Sequence, residues 1–217
     1  TLATWGASTL LYRLAAGWRN ANAARLVTLG LFSFPSAFFL TTVFPHALFL
    51  LLCIACLMAA ERDRFLVAGL LAALAGATRA EGFVLIPALA IAYWQRHRLK
   101  FRPEAIGFLL APLGLIGYIA YLWWRFDNPL AFLEIQHQFG RRLSNPILTL
   151  LKPIWEHLFN VRHFLTYVTG GWLIVATVKR APLPTLVFGW LLFLVPLATG
   201  QYESIYRVQL TTFPIYI

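Results

Sequence analysis

The chain has 217 residues, 60% of them hydrophobic and only 12% charged, with a net charge of +10. An ordinary water-soluble domain carries about 25% charged residues, so this composition, with 16% aromatics and a mean hydropathy of +0.71, points instead to a multi-pass membrane protein. The positive balance does not imply nucleic acid, because Lys and Arg are scattered between apolar segments and build no basic face.

In chain order, residues 1–16 read as the end of an apolar helix. Residues 13–25, with Arg13, Arg19, Arg25, Asn20 and Asn22, read as a loop. Residues 26–42 are apolar with Pro35 inside, where a proline frees a carbonyl and kinks a span. Pro45 precedes the apolar run 46–60, and Glu61-Arg62-Asp63-Arg64 makes a tight turn after it. Cys53 and Cys56 lie one helical turn apart in that run and read as packing residues, since a redox or metal CxxC needs a polar, exposed setting. The runs 65–77 and 83–94 are each shorter than the roughly 20 residues that cross hydrocarbon. Between them stands Thr78-Arg79-Ala80-Glu81-Gly82, and charge at such a place is costly and functional by default.

The loop 95–103 is basic, with Arg96, Arg98, Lys100 and Arg102. Residues 106–124 make a full span and 125–146 a long polar connection. Ile147, Leu151, Ile154, Leu158 and Phe159 recur at helical spacing, so 147–159 reads as an amphipathic helix lying at the interface. Spans follow at 164–178 and 186–197, then a polar loop at 200–207, then a last span from Val208. The chain starts at Thr1 and stops within an apolar stretch, so it reads as a fragment. The expected fold is all-α, a polytopic bundle with broken or re-entrant helices.

Charge orders this topology. If 65–94 is a hairpin of two short segments, Arg13, Arg19, Arg25, Arg62, Arg64, Arg96, Arg98, Lys100, Arg102, Lys179 and Arg180 share the cytoplasmic side, 11 of the 18 basic residues. A single span there would carry the basic 95–103 loop outside, against the positive-inside rule. The Thr78–Gly82 turn then enters the membrane from the outer side, where irregular backbone persists only against protein or a wet cavity. Arginine at that depth suits the bidentate grip of a lipid-linked phosphate. Arg79 and Arg207 are the leading candidates. Arg125 follows Trp123-Trp124, so it serves equally as an interfacial anchor, and Arg141-Arg142 equally as a head-group contact. Lys152 and Arg162 read as interfacial. His46, His137, His157 and His163 lack tight ligand spacing, so no metal site is expected.

Phe34-Pro35-Ser36-Ala37-Phe38-Phe39, Leu48-Phe49-Leu50-Leu51-Leu52 and Thr78-Arg79 with Gly82 and Pro87 resemble the PIG-V family of mannosyltransferases and its bacterial relatives. The likeness continues through Tyr118, Tyr121, Arg125-Phe126 and Asn128-Pro129-Leu130-Ala131-Phe132 to Arg207 with Phe213-Pro214. These are GPI mannosyltransferase 2-like enzymes of the GT-C type. Where the family often has Tyr-Ser-Glu-Ser, this chain has Phe44-Pro45-His46-Ala47, and where relatives often have Asn it has Glu81.

The resemblance implies a transferase that takes mannose from a polyprenyl-phosphate donor and passes it to a glycolipid or glycan acceptor outside the cytoplasm. It implies no cofactor and no metal. The setting is a bacterial plasma membrane, or the endoplasmic reticulum in a eukaryote. Read from the residues themselves, Arg79, Arg207, Arg125, His46 and Glu203 are the candidate donor contacts, while Pro35, Pro45 and Gly82 shape the backbone. The essential acidic residue belongs to an outer loop upstream of Thr1, with Glu81 the candidate in this stretch. A transporter or flippase for a lipid-linked or anionic solute also uses broken helices and buried charge, but no internal repeat is visible. A non-catalytic assembly subunit is the third class. An Asp or Glu in an upstream outer loop discriminates the enzyme from both.

Overall fold

A computed structural model of the chain describes residues 1–42, 44–98, 100, 102–138, 142–149, 151, 161–178, 181–200 and 205–217. Every regular element among the described residues is helical. In order these are α1 (Leu2–Trp18), α2 (Ala21–Ser33), α3 (His46–Glu61), α4 (Phe65–Thr78), α5 (Leu85–His97), α6 (Ile106–Leu110), α7 (Leu113–Phe126), α8 (Ala131–Gln138), α9 (Val161–Thr177), α10 (Leu183–Ala198) and α11 (Ile205–Thr211). Short 3-10 turns occupy Ala37–Leu40, Ala80–Val84, Pro103–Ala105 and Phe213–Tyr216.

The bundle is organised around α3. Its sequence is apolar on every side, the mark of a helix surrounded by others, and 12 of its 16 residues are buried. Helices α1, α4, α5 and α11 pack against it. Cys53 and Cys56 are buried, free thiols, and the Cys56 S–H donates to the Ala68 carbonyl at 3.3 Å.

Several boundaries differ from the sequence reading. The loop expected over 13–25 shrinks to Arg19 and Asn20, because Asn20 caps α2 by accepting the Ala23 N–H at 2.8 Å. Pro35 does not kink a longer helix. The residue before a proline is driven to extended backbone, Phe34 sits at φ −66°, ψ 136°, and α2 stops at Ser33. The 125–146 connection contains α8. Arg207 lies on a helix rather than in a loop, since α11 begins at Ile205. That helix ends at Thr211 after 7 residues, about 10 Å of rise, and a 3-10 turn over Phe213–Tyr216 follows it. Of the 147–159 helix, 147–149 and 151 are described and helical, and the rest lies outside the described residues.

Helices α4 and α5 fold back on each other as the expected hairpin. The Phe65 ring at the start of α4 lies 5.2 Å from Tyr93 and 5.8 Å from His97, near the end of α5. His97 Nε2 is 2.8 Å from Asp63 Oδ1. The Glu61–Arg64 turn and the basic 95–103 loop therefore share one end of the bundle. Trp18 brings the end of α1 there by donating Nε1–H to Glu61 at 3.1 Å. The Thr78–Gly82 turn sits at the opposite end.

Helices α6 and α7 run alongside α4 in the same direction. A Cβ on Gly69 would overlap the Gly107 carbonyl, and one on Gly114 would overlap the Ala73 carbonyl. Small residues at such a seam let backbones approach closely. The stretch Pro103–Phe126, 24 residues with mean hydropathy 2.0, is the one helical segment among the described residues long and apolar enough to cross a membrane. Helices α3, α4 and α10 and residues Tyr167–Thr177 are apolar but shorter.

Candidate functional site

At the end opposite the basic loops, the start of α3, the α4–α5 turn, the last turn of α10 and α11 enclose a cavity of about 170 Å³. His46, Arg79, Glu81 and Arg207 line it, with Pro45 and Thr199 beside them. Four of the residues singled out in the sequence thus meet in space. Arg125 does not join them. It lies exposed near the end of α7, its guanidinium 5.7 Å from the Phe126 ring. Glu203 lies outside the described residues, as do Arg141, Lys152, His157, Lys179 and Arg180.

Arg79 leaves α4 in extended conformation, φ −151°, ψ 135°. Residues two apart on a regular helix face different ways, and this one extended residue removes that obstacle. Arg79 Nη2 donates to Glu81 Oε1 at 2.8 Å and Nε to Oε2 at 3.3 Å. Gly82 makes the turn this tight. A Cβ there would lie 2.5 Å from the Gly76 nitrogen and 2.7 Å from the Ala75 carbonyl carbon, so any larger residue pushes the turn off α4. The guanidinium also sits 5.5 Å from the ring of fully buried Phe49. Its Nη1 is buried with no hydrogen-bond partner, so the ion pair leaves donors unspent.

His46 opens α3 and is 3% exposed. Its ring lies 5.4 Å from Phe39 and 5.7 Å from Phe44, and neither ring nitrogen has a hydrogen-bond partner. Buried polar groups are normally paired, so this imidazole presents an unspent donor and acceptor at the cavity wall. Pro35 enters here indirectly. By ending α2 it starts the turn that carries Phe39, and Arg207 lies 5.5 Å over the same ring. The Arg142 N–H donates to the Thr199 carbonyl at 3.2 Å, and the Ser144 N–H to that of Ala198 at 3.0 Å. These bonds fasten residues 142–144 to the last turn of α10.

Among the described residues, two guanidiniums face one carboxylate, so the described lining is positive, with planar N–H groups available. That arrangement suits a phosphate or carboxylate. The volume is below the roughly 300–1,000 Å³ of sites that enclose a whole drug-sized ligand, so it fits a head group whose tail stays outside. Pro196 and Thr199 escaped the sequence reading. Pro196, inside an apolar helix, carried a readable signal as a backbone-freeing position; Thr199 carried none. Comparison of the chain with family models, curated proteins and solved structures finds no match in any of the three.

Proposed function

We propose that the chain belongs to a multi-pass membrane glycosyltransferase that moves a hexose, mannose in the first instance, from a polyprenyl-phosphate donor to an acceptor hydroxyl on the extracytoplasmic side. The observation that carries this reading is the convergence of Arg79, Arg207 and His46 on one cavity, with Arg79 Nη1 buried and unpartnered. Apolar α3, α4 and α10 beside the 103–126 segment support several crossings. The positive-inside rule puts the Arg62, Arg64, Arg96 and Arg98 end in the cytoplasm. The arginine cavity then faces the outer side, where a lipid-linked donor presents its phosphate.

In this reaction the acceptor oxygen attacks the anomeric carbon. The bond from that carbon to the phosphate oxygen breaks, and its electron pair leaves with the lipid phosphate. Arg79 and Arg207 stabilise the charge on that leaving group. A carboxylate takes the acceptor proton, either Glu81 or the acidic residue that the family resemblance puts upstream of Thr1. Departure as a phosphate needs no metal to assist it.

The test is transfer of labelled mannose from polyprenyl-phosphate mannose to lipid and glycan acceptors, in membranes holding the protein. Label appears in product with the parent chain and falls to background with Arg79→Ala. Donor binding without transfer by folded protein would favour a transporter or flippase instead.

A further inference from the structure

A second and larger cavity, about 330 Å³, opens at the basic end. The last turns of α1, α3 and α5 and the first turn of α10 enclose it. Trp18, Glu61 and Arg96 give it polar walls, and Leu57, Ala92 and Pro184 apolar ones. Its volume reaches the range, roughly 300–1,000 Å³, of small-molecule sites, and the sugar-transfer reading makes no use of it.

Among the described residues, two charged side chains line this cavity, and they decide what fits. Glu61 is half-buried and accepts one N–H, from Trp18 Nε1 at 3.1 Å. A carboxylate offers about four acceptor positions, so it keeps capacity for a cationic donor. Arg96 is exposed and gives one N–H to the Glu61 main-chain carbonyl, leaving other guanidinium donors free for an anion. The start of α10, a helix of 16 residues, adds the positive end of its dipole on the same side. A purely anionic ligand meets Glu61, and a purely cationic one meets Arg96. A ligand carrying both charges satisfies both. Trp18 is the kind of side chain found at the head-group level of a bilayer.

We infer that this cavity binds a phosphoester head group that also carries an ammonium, of the phosphoethanolamine type. Arg96 and the start of α10 take the phosphate, Glu61 takes the ammonium, and any attached chain leaves along Leu57 and Ala92. A bilayer lipid as the source rests on the membrane reading above; the head-group chemistry does not.

The experiment is native mass spectrometry of the full chain in detergent, with phosphatidylethanolamine or phosphatidylglycerol added at equal concentration. The parent chain retains the ethanolamine lipid about tenfold better, the equivalent of one charge-assisted hydrogen bond. Glu61→Gln keeps an acceptor for Trp18 and loses that preference, whereas Arg96→Gln weakens retention of both lipids, since each carries the phosphate, and leaves the preference. Arg64→Gln, an exposed basic change at the same end and away from the cavity walls, keeps it. Equal retention of the two lipids by the parent overturns the inference without recourse to any variant, and so does an unchanged preference in folded Glu61→Gln. Free phosphoethanolamine that displaces the lipid identifies a soluble source, and failure to displace it identifies the bilayer; both support the site. A chain that does not sediment with membranes overturns the membrane reading alone, and binding of free phosphoethanolamine to the purified chain then decides the cavity.

Discussion

Each end of the bundle sets an arginine against a glutamate, and the two ends use the pair differently. At the basic end, Arg96 donates to the main chain of Glu61 while the carboxylate takes the Trp18 indole. No side-chain ion pair forms between them, and Arg96 is exposed. At the cavity end, Arg79 grips Glu81 side chain to side chain, and the two are only 14% and 19% exposed. Exposed pairs contribute about 0–1 kcal/mol. Removing one partner of a buried pair is far more costly, because it strands a charge away from water. The cavity end is therefore where charge is expensive and specific, and the basic end is where it stays in contact with solvent.

The sharpest way to break this comparison is to ask which end meets which compartment. Single cysteines at positions 98 and 142, in a chain with Cys53 and Cys56 replaced, are to be treated with an impermeant thiol reagent in intact cells. Position 142 labels and position 98 does not. Labelling at 98 from outside would reverse the bundle and remove the outer-facing donor site with it.

The next largest effect belongs to Arg79. If it holds the donor phosphate, Arg79→Ala lowers transfer about 100- to 1,000-fold, the usual cost of losing one aimed charge-stabilising donor. Arg79→Lys recovers little, since an ammonium lacks the planar fork, and donor KM rises in both variants. Pairing with Glu81 is observed, so a purely structural role must be separated. The variant Arg79→Ala with Glu81→Ala removes both charges; donor-concentration kinetics normalised to folded protein that return to parent values in that variant would sink the phosphate role.

Gly82→Ala tests the turn rather than the charges. The added methyl meets main-chain atoms of Ala75 and Gly76, and overpacking of this kind costs about 1–3 kcal/mol. Chemical unfolding in detergent should show that loss, and transfer should fall as Arg79 and Glu81 shift together. The smallest effect is expected at the other end. Asp63 holds a positive φ of 63°, which Asn also tolerates. Asp63→Asn thus removes only the charge facing His97, and its cost, with Asp63 43% exposed, is about 0.2–1 kcal/mol. A larger loss there would erase the distinction between the ends.

Much of the fold was legible because its signals are local. The Glu61–Arg64 turn, the short runs on both sides of Thr78–Gly82 and the basic 95–103 loop together dictated the hairpin, and His97 beside Asp63 closes it. The boundaries that went astray did so for local reasons too. Asn20 is a cap rather than part of a loop, and Pro35 stops a helix that apolar composition alone would continue. Arg207 looked like a loop residue because the 200–207 stretch is polar, although α11 begins at Ile205.

The sequence by itself determined the helical class, the apolar character of α3, α4 and α10, and which residues carry charge where charge is costly. Those properties follow from composition and from spacing along one helix. Only the tertiary structure decided that His46, Arg79, Glu81 and Arg207 share one cavity while Arg125 stands apart. It also decided that Arg79 pairs with Glu81 two positions away. Both outcomes depend on where helices end and how closely their backbones approach. Gly82 against α4 and the extended backbone at Arg79 fix those distances, and no periodicity along the chain encodes them.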